Sequence, residues 1–117
     1  MNKVIALILI SLTLGSFAQL SLKAGMSDFG SAEGGKIILA VFHPLVLLGL
    51  VIYFLSSITW LIAISRTEVS YAYPFISLSY VLVALLGWAF LNESINLLRI
   101  VGISVIMAGV YIIGKSK

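Results

Sequence analysis

Small and polar residues recur at steps of four in the first apolar run of the chain, at Ser11, Gly15, Gln19 and Lys23. Residues that are four apart lie on one face of a helix, so these residues are predicted to form one stripe. The Gln19 amide can donate and accept hydrogen bonds, and the Lys23 ammonium can pair with an anion such as a phosphate. The stripe is therefore either one wall of a polar binding cavity or an interhelical hydrogen bond from Gln19 with Lys23 extending to water.

A second polar face is predicted in the next apolar run. Tyr53, Ser57 and Trp60 follow the i, i+4, i+7 spacing of residues that share a helix face. The aromatic rings of Tyr53 and Trp60 could line a pathway and contact a planar ring or the apolar face of a sugar. The alternative is packing against neighbouring helices, or a position at a membrane interface for Trp60.

A third face is predicted downstream, where Tyr73, Ser77 and Tyr80 would point in one direction and Ser79 in another. These hydroxyl groups could contact a polar ligand. Glu68 lies just before this helix and could also contact a ligand. The alternative for Glu68 is a purely structural one, because a carboxylate is stabilised near the positive end of a helix dipole.

The composition identifies the environment in which these faces must work. Of 117 residues, 62% are hydrophobic and 9% are charged, whereas soluble domains average about 45–50% and about 25%. So small a soluble fold could not bury this apolar surface, which excludes a soluble enzyme and a nucleic-acid-binding module. With no cysteine, one histidine and four acidic residues, we expect no catalytic site, no metal and no cofactor.

The lengths of the apolar runs predict an all-α membrane protein, a single domain over residues 1–117 with four antiparallel transmembrane helices and no sheet. A helix needs about 20 residues to cross the hydrocarbon core. His43-Pro44 divides the long second run, since proline suits the first turn of a helix. The four spans are predicted near residues 4–22, 44–65, 69–91 and 97–114.

The connections are predicted to be unequal, with a flexible glycine-rich loop over residues 23–36 and short turns at residues 66–68 and 92–96. The first run also fits a signal peptide cleaved after Ala18, but it continues to Lys23, which favours a span. With four spans both termini lie on one side of the membrane. The predicted basic residues on that side are Lys3, Arg66, Lys115 and Lys117, and those on the other side are Lys23, Lys36 and Arg99. Because basic residues are more frequent on the cytoplasmic side, this small excess on the side of the termini predicts that the termini are cytoplasmic.

The last span contains Gly102 and Gly109, which are seven residues apart and share a face. Small residues let helix backbones approach closely in membranes. The pair is therefore predicted to form a dimer interface, and the alternative is close packing within one subunit.

Several of these features together resemble the drug/metabolite transporter superfamily and its EamA-type members. They are the four short spans, Ala72-Tyr73-Pro74 at the entry to the third, Glu93 after its exit, and the glycines of the fourth. Small multidrug resistance exporters have a similar length and glycine pattern. They also carry a glutamate in the first span about eight residues before a lysine, where this chain has Gly15.

The sequence is also similar to the small subunits of the aminoarabinose-phosphoundecaprenol flippase. The matching segments are Gln19 to Lys23, Ala72 to Pro74 followed by Ser77-Leu78, and Glu93. This resemblance implies a bacterial inner-membrane flippase subunit for a polyprenyl-phosphate-linked sugar, working as a homodimer or a heterodimer with a similar subunit. A multidrug-type exporter and a non-transporting accessory protein are the alternatives.

Overall fold

A computed structural model describes residues 2–29 and 34–116, and this part of the chain contains helices and turns without a strand. The α-helices are α1 (Asn2–Met26), α2 (Lys36–Val41), α3 (Pro44–Ile64), α4 (Val69–Ala72), α5 (Ser77–Phe90) and α6 (Leu97–Lys115). Two 3₁₀ turns, Ser27–Phe29 and Tyr73–Ile76, complete the described elements. The second turn joins α4 to α5, and the three elements together form the third span.

Four helices are long and apolar enough to cross a membrane: α1, α3, the third span and α6. The predicted all-α membrane fold of four helices is thereby confirmed. We call the end of the bundle where α1 begins and α6 ends the terminal end. The opposite end, where α1 ends and α3 begins, is the loop end.

The described parts of the connection between the first two spans are more helical than the glycine content predicts. The α1 helix continues past Lys23 to Met26. It lies close to α3 at Gly25, where a Cβ would be 2.9 Å from the Val46 amide nitrogen. Residues 30–33 of this predicted loop lie outside the described residues. The break predicted at His43-Pro44 is present, since α2 ends at Val41 and α3 begins at Pro44.

His43 fixes the first turn of α3. Its Nδ1 accepts a hydrogen bond from the Leu45 amide at 3.1 Å, so the ring proton is on Nε2, which donates to the Asp28 carboxylate at 2.7 Å. Loss of a helix N-cap costs about 1 kcal/mol. We therefore expect His43→Ala to lower the free energy of unfolding by about 1 kcal/mol, measured by denaturant titration in detergent.

The matched variant for this prediction is His43→Asn, which keeps a side-chain acceptor for the cap but shortens the reach to Asp28. It should retain most of the stability. An equal loss in both variants would instead assign the stabilisation to the contact with Asp28.

Helix α1 packs along α3 on one side and against the third span on the other. Small residues bring α1 and α3 close: a Cβ at Gly49 would lie 3.0 Å from the Ala18 carbonyl oxygen. Hydroxyl groups connect the same pair, since Ser11 donates to the Ser56 carbonyl at 2.9 Å and Ser56 donates to the Ser11 carbonyl at 2.8 Å. Helix α1 is thus the central element against which two other spans pack.

Helix α6 lies at the periphery of the bundle. Its Val110 joins a buried apolar cluster at the terminal end with Ile8 of α1, Ala63 of α3 and Phe75 of the third span. Most of its remaining apolar side chains are exposed, Leu98 to 82%. The fourth span therefore presents a long apolar surface to lipid or to another subunit.

Candidate functional site

An open cavity of about 330 Å³ lies between α3 and the third span, with α1 as its floor. We call it the central groove. Its lining residues are Ser11, Leu12, Gly15, Ser16 and Gln19 of α1, Tyr53, Ser56, Ser57 and Trp60 of α3, and Tyr73, Ile76, Ser79 and Val83 of the third span. Two of the predicted polar faces, those of α1 and α3, therefore meet in one cavity.

An aromatic contact joins the two walls of the groove near the terminal end. The ring of Trp60 on α3 meets the ring of Tyr73 on the third span edge to face, with centroids 6.3 Å apart. Such pairs add modest stabilisation beyond their buried area. The contact holds the walls together at this level.

Hydrogen bonds fix the floor of the groove. The Ser16 hydroxyl is 1% exposed, donates to the Leu12 carbonyl at 2.7 Å and lies 3.5 Å from the Ser79 carbonyl of the third span. Together with the Ser11–Ser56 pair these bonds satisfy the buried hydroxyls, which would be costly to leave unpaired in lipid. The exposed polar groups, above all the Gln19 amide, are those that a ligand can reach.

A second cavity of about 280 Å³ continues the groove toward the loop end. It shares Ser16, Gln19 and Val83 with the central groove and adds Lys23 and Glu93. Gln19 and Lys23 thus lie in one continuous depression, as their spacing on α1 predicts. We call this second cavity the charged vestibule, because it contains one cation and one carboxylate among its lining residues.

Glu93 reaches the vestibule because the chain reverses at the end of α5. Asn92 adopts a left-handed conformation, with φ of 57°. The Glu93 amide then donates to the Gly87 carbonyl at 3.1 Å, which folds the chain back over the last turn of the helix. The Glu93 carboxylate lies where a Cβ at Gly87 would be, so the glycine makes room for it.

A third, smaller cavity of about 110 Å³ lies on the other side of Glu93 and is also lined by Tyr80 and Arg99. The Arg99 guanidinium donates to the Ser94 carbonyl at 2.9 Å. Asn96 is the N-cap of helix α6, and its side chain accepts a hydrogen bond from the Arg99 amide at 2.9 Å. These bonds fix the turn that carries Glu93.

The third span departs from the predicted face. Tyr73 lines the central groove and Tyr80 lines only the small third cavity, whereas Ser77 lines none of these three cavities and Ser79 takes its place in the groove. The cause is the 3₁₀ turn around Pro74, which has 3.0 residues per turn in place of 3.6 and rotates the following helix. A uniform α-helical spacing could not anticipate this rotation.

Glu68 lies at the terminal end, as the N-cap residue of α4, and lines none of the three cavities. Its backbone carbonyl accepts from the Tyr71 and Ala72 amides, and its side chain makes no capping hydrogen bond. The structure thus separates Glu68 from Lys23 and Glu93, which lie at the opposite end of the bundle. Glu93 and Arg99 are the charged lining residues that the predicted set of binding residues does not include.

Gly102 and Gly109 do not support close packing within this chain. A Cβ at either glycine would meet nothing within 4 Å in the described residues. Their face of α6 is therefore available to a second subunit.

Within residues 2–29 and 34–116, the side chains of His, Asp and Glu form no group of three that could hold a metal ion. The site consists instead of a polar, partly aromatic groove along a lipid-facing bundle, with charges at one end. The sequence model of the EamA-like transporter family matches residues 2–115 of this chain.

The chain belongs to the EamA-like transporter family. It is therefore a multi-pass membrane protein of a transporter family. No solved structure matches the chain.

Two curated relatives are similar over nearly the whole chain, and a third is similar over part of it. A probable 4-amino-4-deoxy-L-arabinose-phosphoundecaprenol flippase subunit ArnF of Photorhabdus laumondii is 38% identical, covering 93% of this chain and 94% of that protein. The protein of the same name from an Enterobacter species is 35% identical, covering 90% and 89%. A probable subunit ArnE of the same flippase, from Hamiltonella defensa, is 36% identical over 62% of this chain and 68% of its own length. These relatives are named as transporter subunits.

Proposed function

We propose that this chain is one subunit of a bacterial inner-membrane flippase for a sugar linked to a polyprenyl phosphate. The observation that carries the proposal is the continuous depression in which Gln19 and Lys23 lie beside the groove walls of α3 and the third span. A lipid-linked sugar has an anionic phosphate, a polar headgroup and a long apolar tail. The depression offers an ammonium to the phosphate and hydroxyl, amide and aromatic groups to the sugar, while the tail remains in the bilayer.

The aromatic side chains suit a sugar in particular. Tyr53, Trp60 and Tyr73 line the groove together with Ser57. Aromatic faces accept the apolar face of a sugar ring, and neighbouring hydroxyls accept its hydrogen bonds. The relatives named as flippase subunits for an aminoarabinose lipid support the same class of substrate.

A multidrug-type exporter requires a carboxylate within the first span, where protons and cations compete for one charge. The corresponding position is Gly15, whose Cβ would lie 3.3 Å from the Ser56 hydroxyl. No acidic side chain is among the described residues that line the central groove. This arrangement favours the flippase over the exporter.

Binding to the purified complex distinguishes the two functions. Here the complex means this chain with whatever subunits purify with it through a tag on this chain, held in lipid nanodiscs. It should bind a polyprenyl phosphate carrying a pentose, and an aromatic cation should not displace that lipid. Binding of the aromatic cation with no binding of the lipid would contradict the proposal.

We further propose that the working unit is a dimer, either of this chain or with a similar four-span subunit, with α6 in the interface. Four helices alone leave little room for a translocation pathway. The open glycine face of α6 and the existence of relatives named as two different subunits of one flippase support this arrangement. With cytoplasmic termini, the charged vestibule would lie at the periplasmic end.

We expect Gly109→Leu to weaken dimer formation by about tenfold, because the larger side chain keeps the two backbones apart where small residues allow contact. The matched variant is Ser104→Leu, which places the same side chain on the opposite face of α6. Single-molecule photobleaching in bilayers measures the dimer fraction. An unchanged fraction in Gly109→Leu would place the interface on another surface.

A further inference from the structure

The charged vestibule contains two opposite charges that do not pair with one another. Lys23 and Glu93 both line this cavity of about 280 Å³. In the part of the chain that the structure describes, neither side chain forms an ion pair within 4.0 Å. Both side chains are exposed, so each charge can be reached by a ligand group of opposite charge.

The position of Glu93 is built into the fold. The left-handed Asn92 and the bond from the Glu93 amide to the Gly87 carbonyl direct the chain back over α5, and the absence of a side chain at Gly87 leaves the space that the carboxylate occupies. On its other side Glu93 faces the small cavity lined by Arg99, whose guanidinium is engaged with the Ser94 carbonyl. The carboxylate is thus held at the boundary of the vestibule.

We propose that Glu93 binds an ammonium group on the substrate while Lys23 binds its phosphate, so that the vestibule selects a zwitterionic headgroup. The inference rests on the proposed function and adds to it the residue that recognises the amine, since the relatives are named as flippase subunits for a lipid whose sugar carries an amino group. A neutral sugar on the same lipid would satisfy Lys23 and leave the Glu93 carboxylate without its partner. An acylated amine would have the same defect, since it carries no positive charge.

The test compares two probes in lipid nanodiscs that hold the intact complex. One is a polyprenyl phosphate carrying a 4-amino-4-deoxypentose, and the other carries a hydroxyl in place of the amine. The wild-type complex should prefer the amine lipid by about tenfold or more, as expected for a charge-assisted contact. Glu93→Gln should bring the ratio of the two affinities close to one without weakening the hydroxyl lipid.

Asp28→Asn is the matched control, because it neutralises another carboxylate at the loop end and retains an oxygen that accepts from His43. It should leave the preference for the amine intact. A preference that persists in Glu93→Gln, or an equal loss for both lipids, would overturn the role of Glu93. Wild-type binding of both lipids without preference would overturn this inference alone, whereas binding of neither would overturn the proposed function as well.

Discussion

Replacing Lys23 with alanine is expected to lower the affinity for a polyprenyl-phosphate-linked pentose by about tenfold or more. A hydrogen bond to a charged group contributes about 1.5–3 kcal/mol, and each 1.4 kcal/mol corresponds to about a factor of ten. Lys23 lies in the vestibule and makes no ion pair within the described chain. Its ammonium is therefore available to the phosphate. Titration of the lipid into nanodiscs containing the complex measures the change.

Two variants separate this role from a general effect of charge at the membrane surface. Lys23→Arg should retain much of the affinity, because the guanidinium keeps the charge. Lys36→Ala removes another exposed basic residue at the loop end that lines none of the three cavities, so it should leave binding unchanged. If Lys23 only extends to the lipid headgroups, Lys23→Ala and Lys36→Ala will behave alike, and binding per folded molecule will stay at the wild-type level.

The second large effect is expected from Gly49→Leu in the contact between α1 and α3. A Cβ at this position already lies 2.7 Å from Leu22 Cγ and 3.0 Å from the Ala18 carbonyl oxygen. Larger side chains in a well-packed contact typically cost 1–3 kcal/mol. We expect a loss near the upper limit, about 3 kcal/mol in the free energy of unfolding, because the close atoms include backbone.

The control for this prediction is Val51→Leu on the same helix. Val51 is 58% exposed, so the larger side chain extends into lipid or detergent. Unfolding in mixed detergent micelles should therefore separate the two variants, with Val51→Leu close to wild type. Similar stability in both would show that α1 and α3 are not as closely packed as the structure indicates.

The sequence allows the site to be predicted where the helices are regular. On α1 a spacing of four residues brings Gln19 and Lys23 to the same depression, and on α3 the spacing of Tyr53, Ser57 and Trp60 brings all three into the groove. Both helices run without interruption through these residues. Under that condition helical periodicity alone determines which side chains share a face.

The remainder of the site depends on backbone features that periodicity does not contain. The proline-containing turn rotates α5, so that Ser79 enters the groove and Ser77 does not. The position of Glu93 depends on the left-handed Asn92 and on the space above Gly87. Helical spacing predicts neither of these features. In the sequence Glu93 contributes only to the family resemblance, and its place in the vestibule follows from the turn geometry.

The most direct measurement of the central claim is translocation itself. Proteoliposomes containing the complex and a fluorescent polyprenyl-phosphate aminopentose are treated with a membrane-impermeant amine reagent, which modifies only headgroups in the outer leaflet. The proposal predicts that the wild-type complex makes the inner-leaflet pool accessible and that Lys23→Ala slows this exchange per folded molecule. An inner pool that stays protected as in protein-free liposomes, together with accumulation of aromatic cations driven by a proton gradient, would contradict it.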